Sequence, residues 1–144
     1  MYNSDILFKT GRDLLSDDII EYFEGVRSVD YRNVLDKRQL EYTWAEWLVC
    51  LHEKVLLEQC LPFVTERLNA DPLIPGYFSK GEVLYEVSVI DRDFWLNHKE
   101  WYDYYSTIIS SVLNMSEMDL EEIESKHRPV YIEAYQKFLK LNIE

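Results

Sequence analysis

Residues 43–60 read TWAEWLVCLHEKVLLEQC, and this stretch decides the fold class. Thr43 with Glu46 three positions later is a capping box, which opens a helix by satisfying its first free N–H groups reciprocally. At helical spacing Trp44, Leu48, Leu51 and Val55 form one stripe, Ala45, Val49 and Leu56 widen it, and Trp47, Cys50 and Leu57 flank it. Only a strip holding Glu46 and Glu53 is polar. A helix that is apolar over most of its circumference is surrounded by other helices, so the spacing predicts one central helix from Thr43 to about Cys60. Pro62 then kinks it or starts a short helix to Leu68, because proline removes a helical hydrogen bond and crowds the preceding turn.

Upstream, Ser16 precedes Asp17, Asp18, Ile19, Ile20, Tyr22, Phe23 and Gly25. That is a short helix with an N-cap, acids at the positive dipole end and a terminating glycine. Val26–Gln39 does not decide between irregular chain and a further turn around Tyr31–Leu35. Downstream, Pro72, Pro75, Gly76 and Gly81 make Asn69–Gly81 the main connection between two helical halves. Glu82–Ile90 reads two ways. Val83, Tyr85, Val87 and Val89 alternate like a strand, whereas Ser79-Lys-Gly-Glu82 matches a capping box; helix is preferred because a lone strand has no pairing partner.

From Asp93 a long helix is expected to Leu113, with Phe94, His98, Trp101, Tyr105, Ile108 and Val112 inward and Asn114 at its end. Ser116 opens another, with Leu120 and Ile123 inward, and Pro129 suits the first turn of a last helix burying Tyr131, Ala134, Phe138 and Leu141. The expectation is an all-α, irregular bundle of about six or seven helices, residues 1–144 forming a single helical domain.

A chain of 144 residues, 47% hydrophobic, buries a sufficient core without disulfides or metal. Fifteen basic against 27 acidic residues give a net charge of −12, which disfavours nucleic-acid phosphates and anionic membranes alike. The excess is divided evenly between the halves, so no acidic tail accounts for it. If Cys50 and Cys60 share one helix they lie roughly 15 Å apart, beyond disulfide reach. The charged N-terminal stretch MYNSDILFKTGRDLL lacks an apolar secretory core, so cytoplasmic residence is expected.

Residues able to do chemistry are scattered. A di-iron carboxylate bundle requires two Glu-x-x-His pairs and two further glutamates, and the chain has one such pair, Glu124 with His127. His52-Glu53 lacks a zinc-protease helix's second histidine, and neither cysteine has a ligand neighbour at zinc spacing. No glycine-rich phosphate loop and no serine on a tight glycine turn is present. Asp91 and Asp93 suit a helix N-terminus better than acid–base work. No catalytic residue, metal or cofactor is expected.

A binding surface is better represented. Asp17, Asp18, Glu117 and Asp119 fall in first turns, where negative charge is favoured. Glu121, Glu122 and Glu124 lie further on, so that with Glu117 and Asp119 five acids crowd into eight residues. Solubility explains such a run as well as docking of a basic partner does. Glu100, Asp103 and Tyr104 share the polar face of the Asp93 helix, and exposed tyrosine among carboxylates suits an interface unless Tyr104 packs under a neighbour. Trp44, Trp47, Trp95 and Trp101 are core candidates first. Tyr77 and Phe78 follow Pro75-Gly76 in a connection, where aromatic side chains call for an explanation.

A small, acidic, aromatic-rich helical chain without catalytic apparatus resembles the bacterial immunity proteins that neutralise nuclease toxins of the colicin and contact-dependent growth inhibition type. The resemblance is one of overall character along the whole chain, not of a motif. It implies binding to a cognate, basic nuclease toxin, with Glu46, Glu53, Tyr77, Phe78, Glu100, Asp103, Tyr104, Glu117, Asp119, Glu121, Glu122 and Glu124 as interface candidates and with no nucleic-acid or membrane partner. Three rivals stand beside it: a helical adaptor or regulatory subunit, a mimic of DNA with carboxylates spaced like phosphates, and an enzyme assembled from scattered residues such as His98 and Glu100.

Overall fold

The computed structural model describes residues 4–143. Among them are ten α-helices, two short 3-10 turns at Ser4–Phe8 and Gln39–Glu41, and no strand. The protein is all-α. Its backbone contacts divide it into two compact units, one up to Thr65 and one from Glu66 onward.

In the first unit, α1 (Gly11–Leu14) and α2 (Asp17–Gly25) are capped by Thr10 and Ser16, whose hydroxyls accept from the Asp13 and Ile19 amides. Gly25 is the last helical residue of α2, and the chain leaves through extended Val26, so this helix ends without a left-handed glycine. The undecided stretch after it contains α3 (Val29–Asp36), which packs on α1, α2 and α4 (Trp44–Glu53). Trp47, Leu48, Val49, Cys50 and Leu51 are all buried, as expected of a central helix. Tyr42 is buried beside it and donates to the Val34 carbonyl at 2.5 Å; desolvation pushes its hydroxyl well up in pKa.

The predicted single helix to Cys60 is two helices. Lys54 and Leu56 both adopt positive φ (59° and 51°), a conformation that costs a non-glycine residue about 1 kcal/mol or more. The turn redirects the chain into α5 (Leu57–Ala70), whose first turns meet α4 at Trp47: Phe63 stacks on its ring at 4.7 Å and the Cys60 thiol donates to its carbonyl at 3.4 Å. The linear 15 Å separation of Cys50 and Cys60 therefore does not apply, although both remain free, buried thiols. Pro62 lies inside α5 and does not end it, and the division between the units falls in this helix and not in the Asn69–Gly81 connection.

The second unit contains α6 (Glu82–Ser88), α7 (Arg92–Leu96), α8 (Lys99–Leu113), α9 (Glu117–Leu120) and α10 (Arg128–Leu139). The ambiguous stretch is helical, with Val83, Leu84 and Val87 buried. The expected helix from Asp93 is broken at Asn97–His98, where His98 stacks on Phe94 and its Nδ1 lies 2.8 Å from the Phe94 carbonyl. The break rotates the buried face: Trp95, Tyr102, Tyr105, Ile109 and Val112 are inside, while Phe94, His98, Trp101 and Ile108 are half-exposed. Trp95 is fully enclosed, donates to the Ile90 carbonyl, and meets Tyr102, Tyr105 and Phe138 edge-on. In α10, Tyr131, Tyr135 and Phe138 form the buried stripe; Ala134 and Leu141 are only half-buried. These breaks, together with α1 and α3, account for the excess over six or seven helices. Among the described residues no helix is long and apolar enough to cross a membrane.

Candidate functional site

The loop from Gly76 to Gly81 is built around Glu82. The Tyr77 amide donates to Glu82 Oε2 at 2.6 Å and the Phe78 amide to Oε1 at 3.0 Å. Gly76 leaves room for this carboxylate, which would have to shift if a Cβ stood there. Two buried tyrosines of α10 hold the far side. Ser79 Oγ shares a 2.7 Å hydrogen bond with Tyr131 Oη, and Tyr135 Oη donates to the Gly81 carbonyl at 2.8 Å. Gly81 itself stands at φ 85° and caps α6, so the predicted Ser79–Glu82 capping box does not form: Ser79 turns inward and Glu82 turns back into the loop. The consequence is an ordered loop that holds Tyr77 exposed and Phe78 85% exposed.

The acidic run lies beside this loop. Lys80 Nζ is 3.9 Å from Glu122 Oε1, and a Cβ on Gly81 would touch Ile123, the buried residue of the run. Ser116 caps α9 through the Asp119 amide. Arg128 then holds the following turn from below, its guanidinium donating to the carbonyls of Leu120, Glu121 and Ile123 at 2.7–3.3 Å. With its C-terminal carbonyls satisfied this way, the segment keeps Glu117, Asp119, Glu121, Glu122 and Glu124 exposed. Glu124 pairs with Lys126 at 3.6 Å. Both lysine pairs are solvent-exposed and worth at most about 1 kcal/mol, so they screen the negative field without removing it. Met118, 78% exposed within the run, adds an apolar contact that the sequence reading passed over.

The remaining candidates are placed differently. Glu100 and Asp103 are exposed on α8, and Tyr104 is partly exposed with its hydroxyl bonded to Asn69 Oδ1. In the first unit, Glu53 is half-buried and accepts from the hydroxyls of Tyr22 and Tyr31, tying α2 and α3 to the end of α4. Glu46 is 2% exposed: it accepts from the Thr43 amide at 2.8 Å and from Lys37 Nζ at 3.4 Å. A carboxylate so enclosed presents no charge to a partner, so Glu46 is no interface residue: it is the capping-box partner of Thr43, and the polar strip it marks is buried at this position.

Several groups relevant to catalysis are committed elsewhere. Glu124 and His127 are joined through the backbone, His127 stacks on Tyr131 at 5.4 Å, and among the described residues no three His, Cys, Asp or Glu converge at metal-binding distance. An open groove of about 470 Å³ runs along α6 and α10, lined by apolar side chains such as Val89, Val130 and Leu141 and by the charged Asp91, Arg92, Glu133 and Lys137. Compared with protein-family models, with curated proteins and with solved structures, the chain matches none of them.

Proposed function

We propose that the protein is an immunity-type inhibitor, which binds and neutralises a cognate basic protein toxin, a nuclease domain, through the surface made by the Gly76–Gly81 loop and the Glu117–Glu124 run. The observation that carries this reading is the juxtaposition, within one unit, of exposed aromatics on an ordered loop with five exposed carboxylates. Aromatic side chains supply contact energy at interface centres, while carboxylates steer a cationic partner and set the association rate. The net charge of −12 extends the same field beyond the contact area. Glu100, Asp103 and Tyr104 are a secondary acidic–aromatic group on α8, and Glu53 is a tether whose replacement acts first on stability.

The test is direct. The protein is mixed with the product of the neighbouring gene, and association is followed at low and high ionic strength. Replacing Glu121, Glu122 and Glu124 together by glutamine is expected to slow association about tenfold or more at low salt, with the melting temperature unchanged. If the wild-type protein neither binds that product nor blocks a nuclease activity of it, the inhibitor reading is wrong.

A further inference from the structure

We infer that Tyr77 and Phe78 form a pre-ordered aromatic plug, that Glu82 is its positioning residue, and that its complement is an apolar pocket rimmed by lysine or arginine on the basic partner. The inference rests on the inhibitor reading and names the hot spot within it.

An isolated exposed phenylalanine is ordinary on a protein surface. Phe78 differs because the backbone on both sides of it is fixed. Glu82 takes the Tyr77 and Phe78 amides, Ser79 is bonded to buried Tyr131, and Gly81 is bonded to buried Tyr135 and, through its own amide, to the Leu73 carbonyl at 2.9 Å. Gly76 leaves the space that the Glu82 carboxylate fills. A loop under these constraints has already lost most of its conformational entropy in the free protein, so docking Phe78 does not incur that loss again. The occupant follows from charge. Lys80, inside the loop, is offset by Glu122, and the exposed acids Glu117, Asp119, Glu121 and Glu124 leave the surface around the loop net negative, so the complementary rim is cationic around an apolar centre.

The role of Glu82 is distinguishable from mere charge. The Tyr77 and Phe78 amides use different oxygens of the carboxylate, so glutamine at 82 retains an acceptor for one of them and sets its NH2 against the other, whereas alanine retains none. We expect Glu82→Ala to speed hydrogen exchange at both the Tyr77 and Phe78 amides and to weaken binding of the neighbouring gene's product about tenfold, and Glu82→Gln to leave one of the two amides protected and to weaken binding less. Phe78→Ala, a surface change that leaves the fold intact, should weaken binding about 30-fold or more, mainly through faster dissociation. Unchanged affinity in Phe78→Ala with wild-type binding intact overturns the plug and leaves the inhibitor reading standing. Rapid exchange of both amides in the wild-type protein overturns the positioning role of Glu82 whether or not a partner binds. Failure of the wild-type protein to bind that product removes the inhibitor reading, and the docking assignment with it.

Discussion

The hydroxyl of Tyr135 donates to the carbonyl of Gly81 at 2.8 Å, joining positions 54 apart in sequence and fixing the end of the aromatic loop to the middle of α10. Tyr135 is fully buried, and desolvation pushes its hydroxyl up in pKa, so it stays protonated and able to donate to Gly81 well into the alkaline range. Tyr135→Phe keeps the ring and leaves the Gly81 carbonyl without this donor. Thermal and urea unfolding should show a loss of about 1–2 kcal/mol.

Gly81 and Gly25 should respond in opposite directions to alanine. At Gly81 the positive φ and the approach of Tyr135 Oη and Ile123 to the new Cβ both oppose the change, and a loss of about 1–2 kcal/mol from the backbone alone is expected. At Gly25, the last residue of α2, nothing lies within 4 Å, and alanine should stabilise by about 0.5–1 kcal/mol. Equal effects at the two sites in denaturant titrations would contradict the assigned geometry.

Buried and exposed acids should separate cleanly. Glu46→Ala removes the capping-box acceptor for the Thr43 amide and the partner of Lys37, at a cost of about 1–3 kcal/mol in unfolding experiments. Removing the exposed carboxylates of Glu121, Glu122 and Glu124 should change stability by less than about 0.5 kcal/mol at each position.

Alkaline pH should destabilise the fold. Burial is the first cause raising the hydroxyls of Tyr42 and Tyr135 and the thiols of Cys50 and Cys60 above their ordinary values of 10.0 and 9.0. A group raised in the folded state contributes stability that is fully present below its unfolded pKa and is lost as pH climbs toward the folded one. Unfolding free energy from these groups should therefore be level below about pH 9 and fall above it. Urea titrations followed by circular dichroism across that range check the sign, and Tyr42→Phe should flatten the fall.

Both thiols should be silent toward a thiol reagent in the native protein. Reaction proceeds through the thiolate, which burial disfavours at Cys50 and Cys60 alike. Ellman titration is expected to show two thiols in urea and essentially none without it; prompt native labelling would mean that α4 and α5 separate readily.

The sequence by itself determined the all-α class, because helical spacing and caps at Ser16, Thr43 and Ser116 are local features that tertiary contacts did not override. It also determined that the Glu117–Glu124 acids and the Tyr77–Phe78 pair were worth attention, since crowded charge and aromatics in a connection are visible as composition. Tertiary structure alone decided where helices break. At Lys54 and Leu56 the chain accepts left-handed backbone so that Phe63 and Cys60 reach Trp47, a choice that no local preference signals. It decided likewise that Glu46 is enclosed and that Glu82 serves the loop and not a capping box, because burial and long-range hydrogen bonds depend on which segments meet in space.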